Sequence, residues 1–306
     1  MRVCEVIEFG GPDVLRISER PQPVAQGGEV VVEVVAANVN PSDLAARSGA
    51  LARRMEGLEA PFVPGWDLSG VIADAGDGRS GFSVGDPVVG IIPWIQTGGR
   101  VGAYAEAVAV DPAWLALRPE RLDPVAAATV PLNALTARQG LDLIEAPGVT
   151  TVLITGASGA VGGFATQLAV RDGLRVLALA SEGDETWVGE LGAHEVLPRG
   201  TDLRELEPLD AVLDAVPIGA AAAAAVRGGG VAVFTRRAEV RELADEVRIE
   251  TPLVTPDAVV LAELVEMVAA GRLRTRVART FDLADASGAH GLLEQGGVRG
   301  KLVLTT

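Results

Sequence analysis

Residues 150–181, TTVLITGASGAVGGFATQLAVRDGLRVLALAS, narrow the choice of fold more than any other stretch of this chain. Val152, Leu153 and Ile154 form an apolar run that predicts a buried strand. A glycine turn follows, Gly156-Ala-Ser-Gly159-Ala-Val-Gly162. From Gly163 to Arg171 the spacing becomes helical, with Phe164, Leu168 and Ala169 on one side, and Arg175–Ala180 is a second apolar strand. Strand, turn, helix and strand make a βαβ unit. A dinucleotide diphosphate suits such a turn, because a helix N-terminus offers unpaired backbone N–H groups and the positive end of the dipole. Side chains at Gly159 or Gly162 would hold the backbone away from the diphosphate or the helix away from the strand. The spacing is GxxGxxG and not the commoner GxGxxG, so by itself it also fits an ordinary strand-to-helix turn.

The rest of the chain divides around this unit. Residues 1–120 carry many Gly and Pro breaks between short strands: Met1–Glu8, Glu29–Ala36, Leu68–Ala73, Val88–Ile92 and Ala107–Val110. Strands about ten residues apart with turn signals between them predict a barrel-type domain. Between Glu29–Ala36 and the next strand, Asn38–Asp43 opens a helix that Asp43 is placed to cap. From about Asp123 the pattern changes to alternation. Helix Pro124–Leu141 precedes the βαβ unit; after it come helix Glu185–Leu191, strands Glu195–Pro198 and Asp210–Ala215, helix Ile218–Val226, strand Val231–Thr235 and helix Pro256–Ala270. Alternating strands and helices predict a doubly wound parallel sheet. Val277–Leu283 and Lys301–Leu304 return to strands. The expected fold is α/β, with a barrel-type domain over 1–122 and 271–306 and a Rossmann domain over 123–270.

Composition removes several classes of function. With 41 acids against 26 bases the formal charge is −15, which disfavours nucleic acid and anionic membrane as partners. No apolar run reaches the roughly 18–20 residues of a membrane span. The start, MRVCEVIEFG, lacks the pattern of a secretory signal, so a cytoplasmic protein is expected. The single cysteine, Cys4, allows neither an internal disulfide nor a cysteine-cluster metal site. Of the two histidines, His194 falls in a turn expected to be solvated and His290 in a helix expected at the surface. The one tyrosine, Tyr104, is expected to be structural.

Taken in order, NVNPSD (38–43), PFVPGWDLSGVI (61–72), GDPVVG (85–90), GAYAEAVAV (102–110), AAATVPLNALTA (126–137), the glycine turn, LGAHEVL (191–197) and FDLADASGAHGLLEQGGVRGKLVL (281–304) resemble the medium-chain dehydrogenase/reductase superfamily. The resemblance is to its zinc-independent quinone oxidoreductase branch, similar to zeta-crystallin, and covers essentially the whole chain. It implies a GroES-like domain beside the Rossmann domain and a homodimer. The zinc-dependent members carry a cysteine where this chain has Asn40 and Gly-His-Glu where it has Gly65-Trp66-Asp67. An amide, an indole and one acid are a poor set for zinc, so none is expected.

Such a resemblance implies hydride transfer from NADPH, with NADH the alternative, to a small quinone or α,β-unsaturated carbonyl acceptor. Asn40, Asp43 and Trp66 are then the candidate catalytic residues, with Asp43 also readable as a helix cap and Trp66 as core. Asn40 and Thr136 would orient the nicotinamide and its ribose. Gly156, Ser158, Gly159, Ala160, Val161, Gly162, Phe234 and Lys301 would contribute to the cofactor site. Ser181 and Arg199 suit a 2′-phosphate, whereas Asp184 would favour its absence. Many relatives carry a tyrosine two residues past the Asp of the Asn-Pro-x-Asp motif, able to give a proton; here it is Ala45, and water is the expected proton source. Two alternatives stand beside this reading. One is a cofactor-binding protein without catalysis, in a redox-sensing or structural role. The other is an enoyl reductase for carrier-bound acyl chains, docking through Arg53-Arg54. Substrate choice is expected to depend on Asn40, Trp66, Trp94 and the 234–255 loop, which looks shortened.

Overall fold

The computed structural model describes residues 1–53, 55, 57–236 and 247–306. Arg54 and residues 237–246 of the 234–255 loop lie outside the described residues. The chain forms two compact units, the first from Met1–Leu132 and Thr255–Thr306, the second from Asn133–Val254.

In the second unit six parallel strands lie in the order β10-β9-β8-β11-β12-β13. They are β8 (Thr151–Thr155), β9 (Arg175–Ala180), β10 (Glu195–Pro198), β11 (Leu209–Asp214), β12 (Val226–Phe234) and β13 (Arg248–Glu250). The strand order reverses direction between β8 and β11, the point where open parallel sheets of this type take their ligands. The predicted crossover helix is α4 (Ala160–Arg171), whose Phe164, Ala165, Leu168 and Ala169 are buried. At the other end of the sheet Asp210 accepts from the backbone N–H and the hydroxyl of both Thr150 and Thr151 at 2.8–3.0 Å. The N–H and hydroxyl donors and the Arg227 guanidinium hold its carboxyl below the usual range against the opposing cost of burial.

In the first unit the order is β14-β15-β3-β4-β5-β7, with β6 also paired to β3. These are β3 (Val30–Val39), β4 (Asp67–Asp74), β5 (Pro87–Ile91), β6 (Ala107–Val110), β7 (Leu115–Leu117), β14 (Val277–Asp282) and β15 (Lys301–Thr305). All pairs are antiparallel except β14–β15. A separate hairpin joins β1 (Arg2–Val6) to β2 (Leu15–Glu19). Strand β3 is central, pairing with β4 on one side and with β15 and β6 on the other.

The structure differs from the sequence expectation in several places. The expected helix Pro124–Leu141 is two, α2 (Pro124–Ala127) and α3 (Pro131–Ile144). Pro131 has no N–H to continue the first and disfavours helical geometry at Val130. The alanine tract forms only α6 (Ala220–Ala223), and β12 starts at Val226, earlier than expected. The boundaries at 122/123 and 270/271 move to 132/133 and 254/255. The cause is packing: α2 lies against β3 and β4, and α7 (Ala258–Ala269) lies against β7, all in the first unit. Strands β2, β7 and β13 are missing from the sequence expectation; β7 and β13, of three residues each, are too short to show a period, whereas β2 alternates apolar and polar residues over 15–18.

Gly162 sits where α4 meets the turn, and a Cβ there would overlap the Gly156 carbonyl and approach Ala157 N to 2.9 Å. Helix propensity alone favours alanine over glycine by up to about 1 kcal/mol. Gly162→Ala is nevertheless expected to destabilise the protein by about 1–3 kcal/mol, the usual cost of overpacking, seen as a lower midpoint in chemical denaturation.

Candidate functional site

Two clusters stand out, one in each unit. In the second unit, Gly156 turns the chain out of β8 with φ +62°, a value that favours glycine. Ala157 N–H bonds to Leu179 O and Gly159 N–H to Gly156 O, which fixes the turn. The first helical bond runs from Gly163 N to Gly159 O. The N-cap is Gly159, which has no side chain to satisfy the first turn. Among the described residues, no protein acceptor takes the N–H groups of Ala160, Val161 and Gly162. Three unpaired amides at the start of a twelve-residue helix form a cradle for an anion, and a diphosphate fits it.

Ser158 belongs to the same turn, and its Oγ accepts from Ser181 N at 2.9 Å, tying the turn to the end of β9. In the register of β9 and β10, Pro198 pairs with Ala180. Ser181 and Arg199 are the next residues on the two strands, and Arg199 is exposed. Asp184 is only 4% exposed. Phe234 ends β12 with its ring 1% exposed in the apolar core, so the ring is packing and only its backbone faces the strand end. Thr136 lies on α3 in this unit and is 7% exposed.

Sequence reasoning missed Asp214. It ends β11, across the strand-order reversal from the glycine turn, and accepts from Thr155 Oγ1, Ile218 N and Gly219 N. These bonds pin residues 215–219, whose Val216 packs against Gly156. Burial raises its carboxyl above the usual range, while the donors oppose the shift. An acid at the end of an apolar strand was the available signal.

In the first unit the register of β3 builds the second cluster. Val303 pairs with Asn38 and Leu302 with Val39 in β15, and Ala37 pairs with Leu68 in β4. The pairing therefore continues to Asn40 beside Lys301 and Asn38 beside Asp67. Side chains two apart on a strand share a face, so these four polar groups meet. Asn40 Nδ2 donates to Asp67 Oδ2 at 2.7 Å and Asn38 Nδ2 to the same oxygen at 3.0 Å. Leu132 N donates to Asp67 Oδ1 at 2.5 Å. Asn40 Oδ1 accepts from Lys301 Nζ at 2.8 Å and from Asn38 Nδ2 at 3.0 Å.

Asn40 is also the N-cap of α1 (Pro41–Arg47), and Asp43 reaches back to accept its backbone N–H at 2.7 Å. The helix-cap reading of Asp43 is thus what the geometry contains. Asp43 and Asp67 are fully buried, as is Asn40 within 1%. Burial pushes the Asp43 carboxyl up to about 8, with Asp67 adding to the rise and the Asn40 N–H and Lys301 opposing it. Burial raises Asp67 too, against its three N–H donors and Lys301. Burial brings the Lys301 ammonium down to about 8 despite both acids.

Behind Asp43 stands Tyr104, and the expected surface position of His290 is corrected here. His290 lies on α8 (Ala286–Gln295) and is 0% exposed, on the same helix face as buried Ala286 and Ala289. Arg47 Nη1 is 3.5 Å from its Nδ1 and Tyr104 Oη is 3.1 Å from its Nε2. A guanidinium only donates, so Nδ1 is the acceptor and Nε2 carries the hydrogen that goes to Tyr104. The Asp43 carboxyl is close enough to the phenol to act on it electrostatically. Burial first, then Asp43, raises the Tyr104 hydroxyl well above its usual range. The expected structural role of Tyr104 therefore extends to a polar chain. Arg47 itself is paired to Glu294. His194 is exposed, its Nδ1 accepting from Val176 N at 3.1 Å.

Trp66 is 5% exposed and packs on Trp94 with ring centroids 4.7 Å apart, in a cluster that includes Phe62. Of its two readings, core packing accounts for nearly all its surface. The zinc-type positions Asn40, Trp66 and Asp67 do not fit a zinc ion: Asn40 Oδ1 already accepts two bonds, the indole is not a ligand, and Asp67 accepts three N–H groups. Among the described residues no group of three or more His, Cys, Asp or Glu side chains is placed to hold a metal. Among them, too, no helix is long and apolar enough to cross a membrane.

Known proteins match the chain over both units. An alcohol dehydrogenase GroES-like domain model matches residues 26–120, and a zinc-binding dehydrogenase model matches 191–304. A rat (Rattus norvegicus) quinone oxidoreductase is 38% identical over 64% of this chain; that match spans 58% of the rat protein's length. A mitochondrial NAD(P)H oxidoreductase of Danio rerio is 30% identical over 97% of this chain and 89% of its own. The solved quinone oxidoreductase of Coxiella burnetii superposes with a TM-score of 0.91 at 30% identity, covering 100% of this chain and 99% of that one.

The buried His290 generates a pH prediction. Burial first, then Arg47, pushes its imidazole down to about 3 from the ordinary 6.5. Between those values the unfolded chain binds a proton that the folded one does not, so stability contributed above pH 6.5 is lost as pH falls. His290→Gln, which still offers a donor and an acceptor, is expected to lower the thermal midpoint at pH 7. It should also show a shallower fall in midpoint between pH 7 and 5 than the wild type; identical slopes would remove His290 as the titrating group.

Proposed function

The chain belongs to the medium-chain dehydrogenase/reductase superfamily, in its quinone oxidoreductase branch, and on that premise we propose that it is a zinc-independent, NADPH-dependent reductase of small quinones or α,β-unsaturated carbonyls. The observation that carries the proposal is the α4 cradle: three unpaired amides beside the strand-order reversal of a parallel sheet. Gly156, Ser158, Gly159, Ala160, Val161 and Gly162 would hold the diphosphate there. Bound in that position, a dihydronicotinamide supplies a hydride, the chemistry that no side chain can provide.

The 2′-phosphate preference rests on Ser181 and Arg199, which follow the register pair Ala180–Pro198. Asp184, the acid that would favour the unphosphorylated cofactor, is buried. Thr136 and Asn40 are the proposed contacts to the nicotinamide and its ribose. Of the Asn40 side chain, Oδ1 is fully used and Nδ2 has given one hydrogen to Asp67. One N–H remains, so Asn40 acts there as a donor. Asp43 works through Asn40, holding its backbone by the helix cap, and Trp66 supports the same region by packing.

Reduction of a quinone or enone needs no metal if the acceptor is already electrophilic and the protein positions it and excludes water. The test is calorimetric binding of NADPH and NADH, followed by loss of reduced-cofactor absorbance with a panel of quinones and enones. NADPH is expected to bind at least about tenfold tighter, the equivalent of one charge-assisted contact of about 1.4 kcal/mol. Ser181→Asp should reverse the order. Tight NADPH binding with no turnover across the panel would replace the reductase by a non-catalytic binding protein.

A further inference from the structure

Lys301 is the only lysine in the chain; the other 25 basic side chains are arginines. A composition that uses arginine at every other cationic position places its one lysine 8% exposed against Asn40. The two residues differ in one respect that matters here: arginine keeps its proton, whereas a desolvated lysine can release one near neutrality.

We propose that Lys301 gives the proton that completes reduction of the acceptor, in the role left open by Ala45. The inference rests on the reductase reading above. Three observations support it. Nζ bonds to Asn40 Oδ1 and retains two further hydrogens for another acceptor. The register of β15 on β3 holds the side chain at the residue proposed to meet the nicotinamide. The charged and titratable groups facing it are Asp43 from α1 and Asp67 from β4, with Tyr104 beyond Asp43. Burial lowers its proton affinity, so that the ammonium is still charged at neutral pH and yet acidic enough to be a donor.

The step balances simply. Hydride addition brings two electrons to the acceptor and leaves negative charge on its oxygen, as enolate or hydroquinone anion. The Nζ–H bond breaks, an O–H bond forms, and the electron pair stays on nitrogen as a neutral amine. Water returns the proton between turnovers. An enolate depends on this step more than a hydroquinone anion does, because delocalisation over the ring makes the latter the weaker base.

The experiment has two parts. With 15N-lysine labelling, the whole protein should give a single side-chain Nζ signal, whose pH titration needs no assignment; its midpoint is expected near 8 and not near the ordinary 10.5. Lys301→Arg keeps the charge and a donor to Asn40 but gives up no proton. It is expected to lower kcat with an enone about 10²-fold or more, and to lower it less with a quinone. NADPH affinity by calorimetry should stay within a few-fold. The wild-type enone rate should fall tenfold per pH unit above 8, and the variant should be flat there. An unimpaired variant, an Nζ midpoint at the ordinary value, or a loss of NADPH binding as large as the loss of rate would each overturn Lys301 as donor while leaving the reductase intact. A wild type that reduces neither class of acceptor would overturn the reductase reading, and this inference with it.

Discussion

Two carboxylates and one ammonium taken out of water together cannot all keep their ordinary charges. Asp43, Asp67 and Lys301 are in that position, and the first unit is arranged to make it tolerable. Asp67 accepts three N–H groups, Asp43 accepts the Asn40 amide, and Lys301 donates to Asn40. A buried charge left without such partners costs several kcal/mol. The register of β3 with β4 and β15 is therefore set by more than its apolar residues: a slip of one residue would turn Asn38 and Asn40 to the opposite face and separate the acids from the lysine. Asn40 is the hub, with its carbonyl oxygen, its amide nitrogen and its backbone N–H all engaged.

The second unit is governed by close approach. Its glycine turn passes between a strand and a helix that leave no room for a Cβ at Gly162. Asp214 holds the facing loop by two hydrogen bonds, from Ile218 N and Gly219 N, and is tied to β8 by the Thr155 hydroxyl. One element is kept small and the other is pinned, and between them the ends of β8 and β11 stay rigid while the first turn of α4 keeps its amides unpaired. Rigidity of this kind favours binding because little is lost on ordering the protein.

The glycine turn, its flanking strands and the parallel sheet were legible in the sequence, because strong apolar runs and turn residues act locally. The helix cap at Asp43 was legible for the same reason. Boundaries were less so: Pro131 breaks a continuous helical pattern, and helix Ala258–Ala269 shows its allegiance only through the strand it packs on. His290 and Trp66 illustrate the harder case. Nothing near His290 in the chain announces Tyr104 or Arg47, which lie 186 and 243 residues away. A polar residue on a helix looks like a surface residue until its distant partners are known. Lys301 had a signal that local patterning overlooks, its uniqueness in the composition.

Strand β15 has an implication for how the molecule is made. It enters its sheet between β14 and β3, so an interior position in the first unit is filled by residues 301–305, some 260 residues after β3. Residues 133–254 form a self-contained parallel sheet and can complete it during synthesis. Through all that time Asp43 and Asp67 have no counter-charge, and β3 exposes an unpaired edge over Ala36–Val39. Strand β3 therefore emerges from the ribosome before the second unit and gains its β15 partner only after it.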